Sequence, residues 1–222
     1  MSLLITPMCN EYPKNPGLTF LRRLKPASKF MACFLLPFFI VTMCSGQERN
    51  LNYTVSRNGT KIGSLRLREI TNGKQVTYRM SSEVKVSMLL TFNSSILEES
   101  IYDNGILTYS RVFQKMNGNK KTNKKISVAG NRYILDDDGS IENLGIYPIK
   151  YNLVCVYTCE PVVAKHIYSD KFEKYLPVEK IGLHEYKISF PNGSYNLYIY
   201  ENGICRKIRV NHSMYKAEMV LN

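Results

Sequence analysis

Between Tyr186 and Val210, apolar and polar side chains alternate with a period of two, broken only by Asn-Gly pairs. Tyr195, Leu197 and Ile199 fall on one face of this stretch, and Asn196, Tyr198 and Tyr200 on the other, as in an extended strand. Asn192-Gly193 and Asn202-Gly203 supply the corners, because a type I′ turn needs positive φ at both central residues. The same pattern runs from Leu51 onward, with corners at Asn58-Gly59, Asn72-Gly73, Asn104-Gly105, Asn117-Gly118, Gly130-Asn131 and Asp138-Gly139. The runs between the corners predict strands over 51–56, 61–71, 75–86, 92–102, 106–115, 124–129, 132–136, 186–190, 195–200 and 204–211, with a last one over 215–221. Consecutive strands joined by tight turns become antiparallel neighbours. About ten long strands of this kind twist and curl rather than stay flat. The expected fold class is therefore all-β: a strongly curved antiparallel meander sheet, or half-open β-barrel, with a short irregular or helical insert.

That insert is 146–182, which contains no Asn-Gly corner. Residues 152–157 are apolar enough for a buried strand or a short helix, and Pro161 ends them. Ser169-Asp170 followed by Phe172, Tyr175 and Leu176 predicts one or two capped helical turns. The segment is expected to cross the mouth or one face of the curved sheet. Connecting segments on a rigid scaffold commonly carry function, so the site is sought here.

Ahead of the sheet lies a leader. Phe30 to Met43 carries no charge and follows Arg22, Arg23, Lys25 and Lys29; Cys44, Ser45 and Gly46 come next. A basic segment, a short apolar run and small residues define a secretory signal, and the run is shorter than the ~20 residues that span a bilayer. The domain reading is a leader over 1–46, cut after Gly46, and a single β domain over 47–222. Cys44 has a second reading as a lipidation site, which would tether the protein to a membrane. The expected address is the periplasm or cell envelope.

The chain carries 30 basic and 18 acidic residues; without the leader, 25 and 17 remain, a net charge of +8. Lys115, Lys120, Lys121, Lys124 and Lys125 crowd one segment. They read as a solvated hairpin tip that blocks edge pairing, or as a patch for anionic lipid or polysaccharide. The segment has no interleaved aromatics to stack bases, so nucleic acid is not an expected partner. Cys155, Cys159 and Cys205 follow the leader. On one strand Cys155 and Cys159 would stand ~13 Å apart, too far to bridge. Cys205 could pair with either, and an odd count leaves a free thiol. The three also read as buried small hydrophobes. They lack C-x-x-C spacing, and the histidines are not grouped around them, so neither a metal nor a cofactor is expected.

Candidate chemistry is sparse. No G-x-S-x-G elbow or phosphate-cradling glycine loop occurs. Glu98 and Glu99 are neighbours on a strand, point to opposite faces and cannot act as one acid/base pair. Asp136-Asp137-Asp138-Gly139 lacks the alternating ligands of a calcium loop. The polar residues to watch for an enzyme of unrecognised type around 146–184 are Glu83, Glu160, Ser169 and His184. Sixteen tyrosines and no tryptophan suggest cross-strand aromatic pairing, or a concave face with apolar bodies and polar tips suited to an amphiphile. Tyr198 joins the four polar residues as a ligand-binding candidate.

Several short patterns recur in a known order: Tyr53, Val55, Asn58, Gly59, Ile62 and Gly63; Ser82-Glu83; a Tyr-x-Asn-Gly hairpin; Glu160-Pro161 with Ser169 beyond; and Pro191-Asn192-Gly193 leading to Tyr198, Tyr200, Asn202, Gly203 and Cys205. Over Asn50 to Asn222 the chain resembles an uncharacterised family of exported all-β bacterial envelope proteins, a domain of unknown function. It departs from that pattern at Cys159, where an aromatic is commoner. The resemblance implies export and a curved sheet; it implies no activity and no functional residues. The function expected is a non-enzymatic binding or structural role for the concave tyrosine-rich face, with a lipid, another amphiphile or an envelope protein as partner. The alternatives are the enzyme of unrecognised type and an assembly module pairing through a sheet edge.

Overall fold

The computed structural model describes residues 46–87, 91–145, 148–212 and 215–222. The leader readings, the apolar run at 30–43 and Cys44, lie outside the described residues. Fourteen strands form one antiparallel sheet: β1 (Gln47–Arg57), β2 (Thr60–Asn72), β3 (Gln75–Ser87), β4 (Thr91–Asp103), β5 (Ile106–Met116), β6 (Asn119–Ala129), β7 (Arg132–Asp137), β8 (Ser140–Asn143), β9 (His166–Ser169), β10 (Lys174–Gly182), β11 (Glu185–Ser189), β12 (Tyr195–Glu201), β13 (Ile204–Asn211) and β14 (Lys216–Leu221). Their order is 8-7-6-5-4-3-2-1-14-13-12-11-10-9, so β14 docks beside β1 and joins two meanders into one open sheet.

The corners do the work the sequence assigns to them. Asn58-Gly59, Asn104-Gly105, Asn117-Gly118, Asp138-Gly139 and Asn202-Gly203 have positive φ at both positions, and such turns match the right-handed twist of the strands they join. Asn72-Gly73, Gly130-Asn131 and Asn192-Gly193 are exceptions, with positive φ at the glycine alone. At the last of these, the Gly193 amide donates to the Phe190 carbonyl at 3.0 Å. Pro191 favours the second position of an ordinary type I turn, which makes Asn192 the third and Gly193 the fourth.

Curvature comes from long strands and irregular register. β1 to β6 run 11 to 13 residues, and the register shifts near Val55, Ile101, Gln114, Lys180 and Ile199. Each shift adds local twist and bend. At Gly63 the neighbouring strand lies so close that a Cβ would meet the Glu83 carbonyl oxygen at 2.1 Å. The sheet curls until the turn after β9 reaches the inner face of β5 and β6 through side chains: Asp170 to Ser110, Lys171 to Gln114 and Glu173 to Lys124.

The segment from 148 to 165 lies inside this curl. A single 3-10 turn, Leu153–Tyr157, acts as a wedge. Val154 and Cys155 pack into one buried cluster with Tyr53, Leu67, Tyr102 and Tyr133. Val156 packs into a second with Tyr186, Ile188, Tyr198 and Tyr200. In β12 it is the aromatic face, Tyr198 and Tyr200, that is buried.

One reading of the insert needs correction. The turns expected near 169–176 end after one: the Ser169 carbonyl accepts the Glu173 amide at 2.7 Å. Glu173 then takes a left-handed φ of 56°, and Tyr175 and Leu176 pair with Tyr168 and Ile167 in a β9–β10 hairpin. A long uncharged edge strand would favour the edge-pairing reading. The edges are β8 and β9, four residues each, and the Tyr168 amide of β9 is already bonded to the Tyr151 carbonyl at 3.0 Å.

Candidate binding site

The insert is fastened to the sheet by a buried polar cluster centred on Asn152. Its side-chain amide donates to Ser100 Oγ at 2.9 Å and to Asp170 Oδ2 at 2.8 Å. Its backbone amide donates to the Tyr102 hydroxyl at 3.1 Å. Ser110 Oγ donates to Asp170 Oδ1 at 2.5 Å, and the Cys155 thiol lies 3.3 Å from Asn152 Oδ1. A buried amide and carboxylate survive here because every polar atom has a partner. Burial pushes the Asp170 carboxyl above its usual range, against the pull of Ser110 and Asn152.

Glu98 of β4 stands beside this cluster on the inner face, opposite Met80 and Val112 in register. It is half-buried and has no hydrogen bond or ion pair among the described residues. Desolvation, then the nearby Asp170 carboxyl, push its pKa up to about 8, with Lys171 pulling the other way. Lys171 donates to Gln114 Oε1 at 3.0 Å, and desolvation lowers its pKa. Glu98 in turn helps raise the pKa of the buried Tyr157 and Tyr198 hydroxyls, after desolvation. The result is a concave face that carries, at neutral pH, a mainly protonated carboxyl. A neutral carboxylic acid donates one hydrogen bond, which suits a ligand that presents an acceptor oxygen.

The sequence-derived candidates do not gather around Glu98. Tyr198 is buried in the second core cluster, with its hydroxyl accepting from Asn196 at 3.3 Å. Glu160 and His184 meet elsewhere: the imidazole Nδ1 lies 3.0 Å and 3.1 Å from the two carboxylate oxygens, and the Tyr186 hydroxyl donates to the same carboxylate at 2.8 Å. A carboxylate that orients an imidazole is two-thirds of a nucleophilic triad. Ser169 does not complete it, being fully buried with its hydroxyl accepting the Phe172 amide. Glu83 is exposed on the outer face of β3. The four residues of the enzyme reading thus yield one pair and no shared site.

The lysine cluster is largely neutralised. Lys120 pairs with Asp138 at 2.6 Å, Lys125 with Asp136 at 3.3 Å, and Lys124 with both Glu173 and Asp137. Among the described residues, no group of three or more His, Cys, Asp or Glu is placed to hold a metal ion.

A family model described as a domain of unknown function (DUF6134) matches residues 53–222, most of the chain, from the middle of β1 onward. The chain belongs to this family. No curated protein matches the DUF6134 chain. Among solved structures, it is similar to a crystal structure described as a beta-barrel-like protein of domain of unknown function DUF1849 from Brucella abortus. The match has 10% sequence identity and a TM-score of 0.44, covering 80% of this chain and 95% of that one.

The cysteines of the DUF6134 chain do not bridge as the sequence allowed. Cys155 and Cys205 are free and buried, each with its thiol pushed up to about 12 by burial. Cys159 is disulfide-bonded. Sequence reasoning missed Glu98 as a site residue. Alternation placed Glu98 and Glu99 on opposite faces, but which face the insert covers is a tertiary fact.

Proposed function

We propose that this DUF6134 protein is a non-enzymatic binding protein of the cell envelope whose concave cleft holds a single-chain amphiphile. One observation carries the reading: Glu98, a half-buried carboxyl on the inner face opposite Met80 and Val112, has no hydrogen bond or ion pair among the described residues and is desolvated. A carboxylate or ester oxygen of the ligand would accept from neutral Glu98 and from Lys171, and its chain would lie along the same face. Most of the concave tyrosines are packed beneath the insert, so the cleft rather than the whole tyrosine face receives the ligand. Export is supported by the basic segment and uncharged run before Gly46. Acylation at Cys44 would add a membrane tether.

The test is native mass spectrometry of delipidated protein after incubation with a total lipid extract, repeated with Glu98→Ala and Tyr198→Ala. The reading expects a single amphiphile adduct, weakened in both variants. Absence of any adduct on wild-type protein would overturn it.

A further inference from the structure

The outer face of the same sheet, opposite the core, carries a second feature that the cleft does not use. A groove of about 680 Å³ runs across β1 to β5, and four arginines line it: Arg66, Arg68, Arg79 and Arg111. All four are exposed. Arg68 lies directly opposite Arg79 in register, Arg79 opposite Glu99, and Glu99 opposite Arg111. The adjoining row reads Arg66, Ser81, Leu97 and Phe113.

Only half of this positive charge is answered. Arg79 pairs with Glu99 at 2.7 Å and Arg68 with Glu48 at 2.6 Å. Arg66 and Arg111 have no ion pair among the described residues. Like charges directly opposite on a sheet destabilise it, and the Arg68–Arg79 pair does so here. Between the arginines Leu97 is 56% exposed, and Phe113 lies beneath the Arg111 guanidinium at 5.7 Å. A bound molecule would answer the two unpaired guanidiniums and cover the leucine.

We propose that this groove binds an amphiphile with a net-anionic phosphate headgroup, with Arg66 and Arg111 holding the phosphate and Leu97 and Phe113 its apolar body. Guanidinium groups match phosphate oxygens two at a time, which a lysine ammonium does not. β2 and β5 are three strand spacings apart, roughly 14 Å, a gap that two long side chains narrow to the width of a headgroup. A lipid phosphodiester and free phosphate share this headgroup chemistry; the exposed leucine favours the lipid.

The experiment titrates full-length protein with dihexanoylphosphatidylglycerol below its micelle concentration, with dihexanoylphosphatidylcholine and inorganic phosphate as the other arms. The groove should bind the anionic lipid saturably and more weakly as salt rises. The double variant Arg66→Gln/Arg111→Gln should weaken it at least about tenfold, and Arg66→Lys/Arg111→Lys, which keeps the charge, by less. Leu97→Ser should weaken the lipid but not phosphate, and Glu179→Gln, a surface change on β10, should leave both unchanged. No binding of the anionic lipid at low salt, equal binding of the zwitterionic lipid, or an unaffected glutamine double variant would each overturn the proposal. So would phosphate binding as tightly as the lipid with Leu97→Ser silent, since the groove would then take anions alone.

Discussion

Replacing Glu98 by Gln removes one ionisation and almost nothing else, because the neutral acid and the amide have nearly the same shape. The wild-type carboxyl holds its proton up to about 8, against 4.5 for an ordinary glutamate. Between those values the folded protein binds a proton that the unfolded chain has released. Wild-type stability must therefore fall with rising pH across that window and level off above it. At ~1.4 kcal/mol per pH unit the ceiling is about 5 kcal/mol. The carboxyl is only half-buried, so solvent screening brings the expected loss to ~2 kcal/mol. Asp170 and Lys171 titrate in both proteins and largely cancel in the difference. Urea unfolding of wild type and Glu98→Gln from pH 4 to pH 9 reads it out. The two curves should coincide at pH 4, separate above 4.5, and leave the glutamine variant more stable at pH 9. A constant offset at every pH would refute the desolvated carboxyl, as would a wild type that gains on the variant as pH rises.

Three further outcomes follow from the same geometry. Gly63→Ala forces a methyl against the Glu83 carbonyl and the Val84 Cα at 2.8 Å, which no rotamer relieves. It should cost about 3 kcal/mol, and a variant with wild-type urea midpoint would contradict the close approach of β2 and β3. Asp170→Ala strips partners from Ser110 and Asn152 and should cost ~3 kcal/mol; a smaller loss for the distant surface change Glu179→Ala provides the contrast in thermal unfolding. Cys155 and Cys205, with thiols pushed up to about 12, should resist iodoacetamide at pH 8 in the folded protein and react once it is denatured. Peptide mapping that finds either one alkylated under native conditions would disprove their burial.

Most of the sheet is legible in the sequence because its signals are local. An Asn-Gly pair demands left-handed φ, and alternation fixes which side chains share a face, so β1 to β7 and β11 to β14 are located by their own residues. Signals fail where a neighbour outweighs them. Pro191 converts an apparent I′ corner into a type I turn. Ser169 and the spacing of Phe172, Tyr175 and Leu176 look helical, yet pairing with β9 draws Tyr175 and Leu176 into a strand. β8 and β9 are too short to show a period. Lys120, Lys124 and Lys125 look like free charge because the acids that answer them arrive with later turns. The arginine row was within reach: Arg66 and Arg68 share a face, and the corner after Asn72 brings Arg79 opposite Arg68.

The claim that the concave cleft receives a ligand at Glu98 can be tested at the carboxyl itself. Protein labelled with ¹³C at glutamate carboxyls is titrated with dodecanoate and followed by NMR, with Glu99 on the opposite face of the same strand as the internal control. The account predicts that the Glu98 resonance moves saturably, with its titration midpoint displaced from about 8, while Glu99 stays still. A Glu98 signal unmoved up to the solubility limit of dodecanoate, or one that moves only together with Glu99, would contradict it.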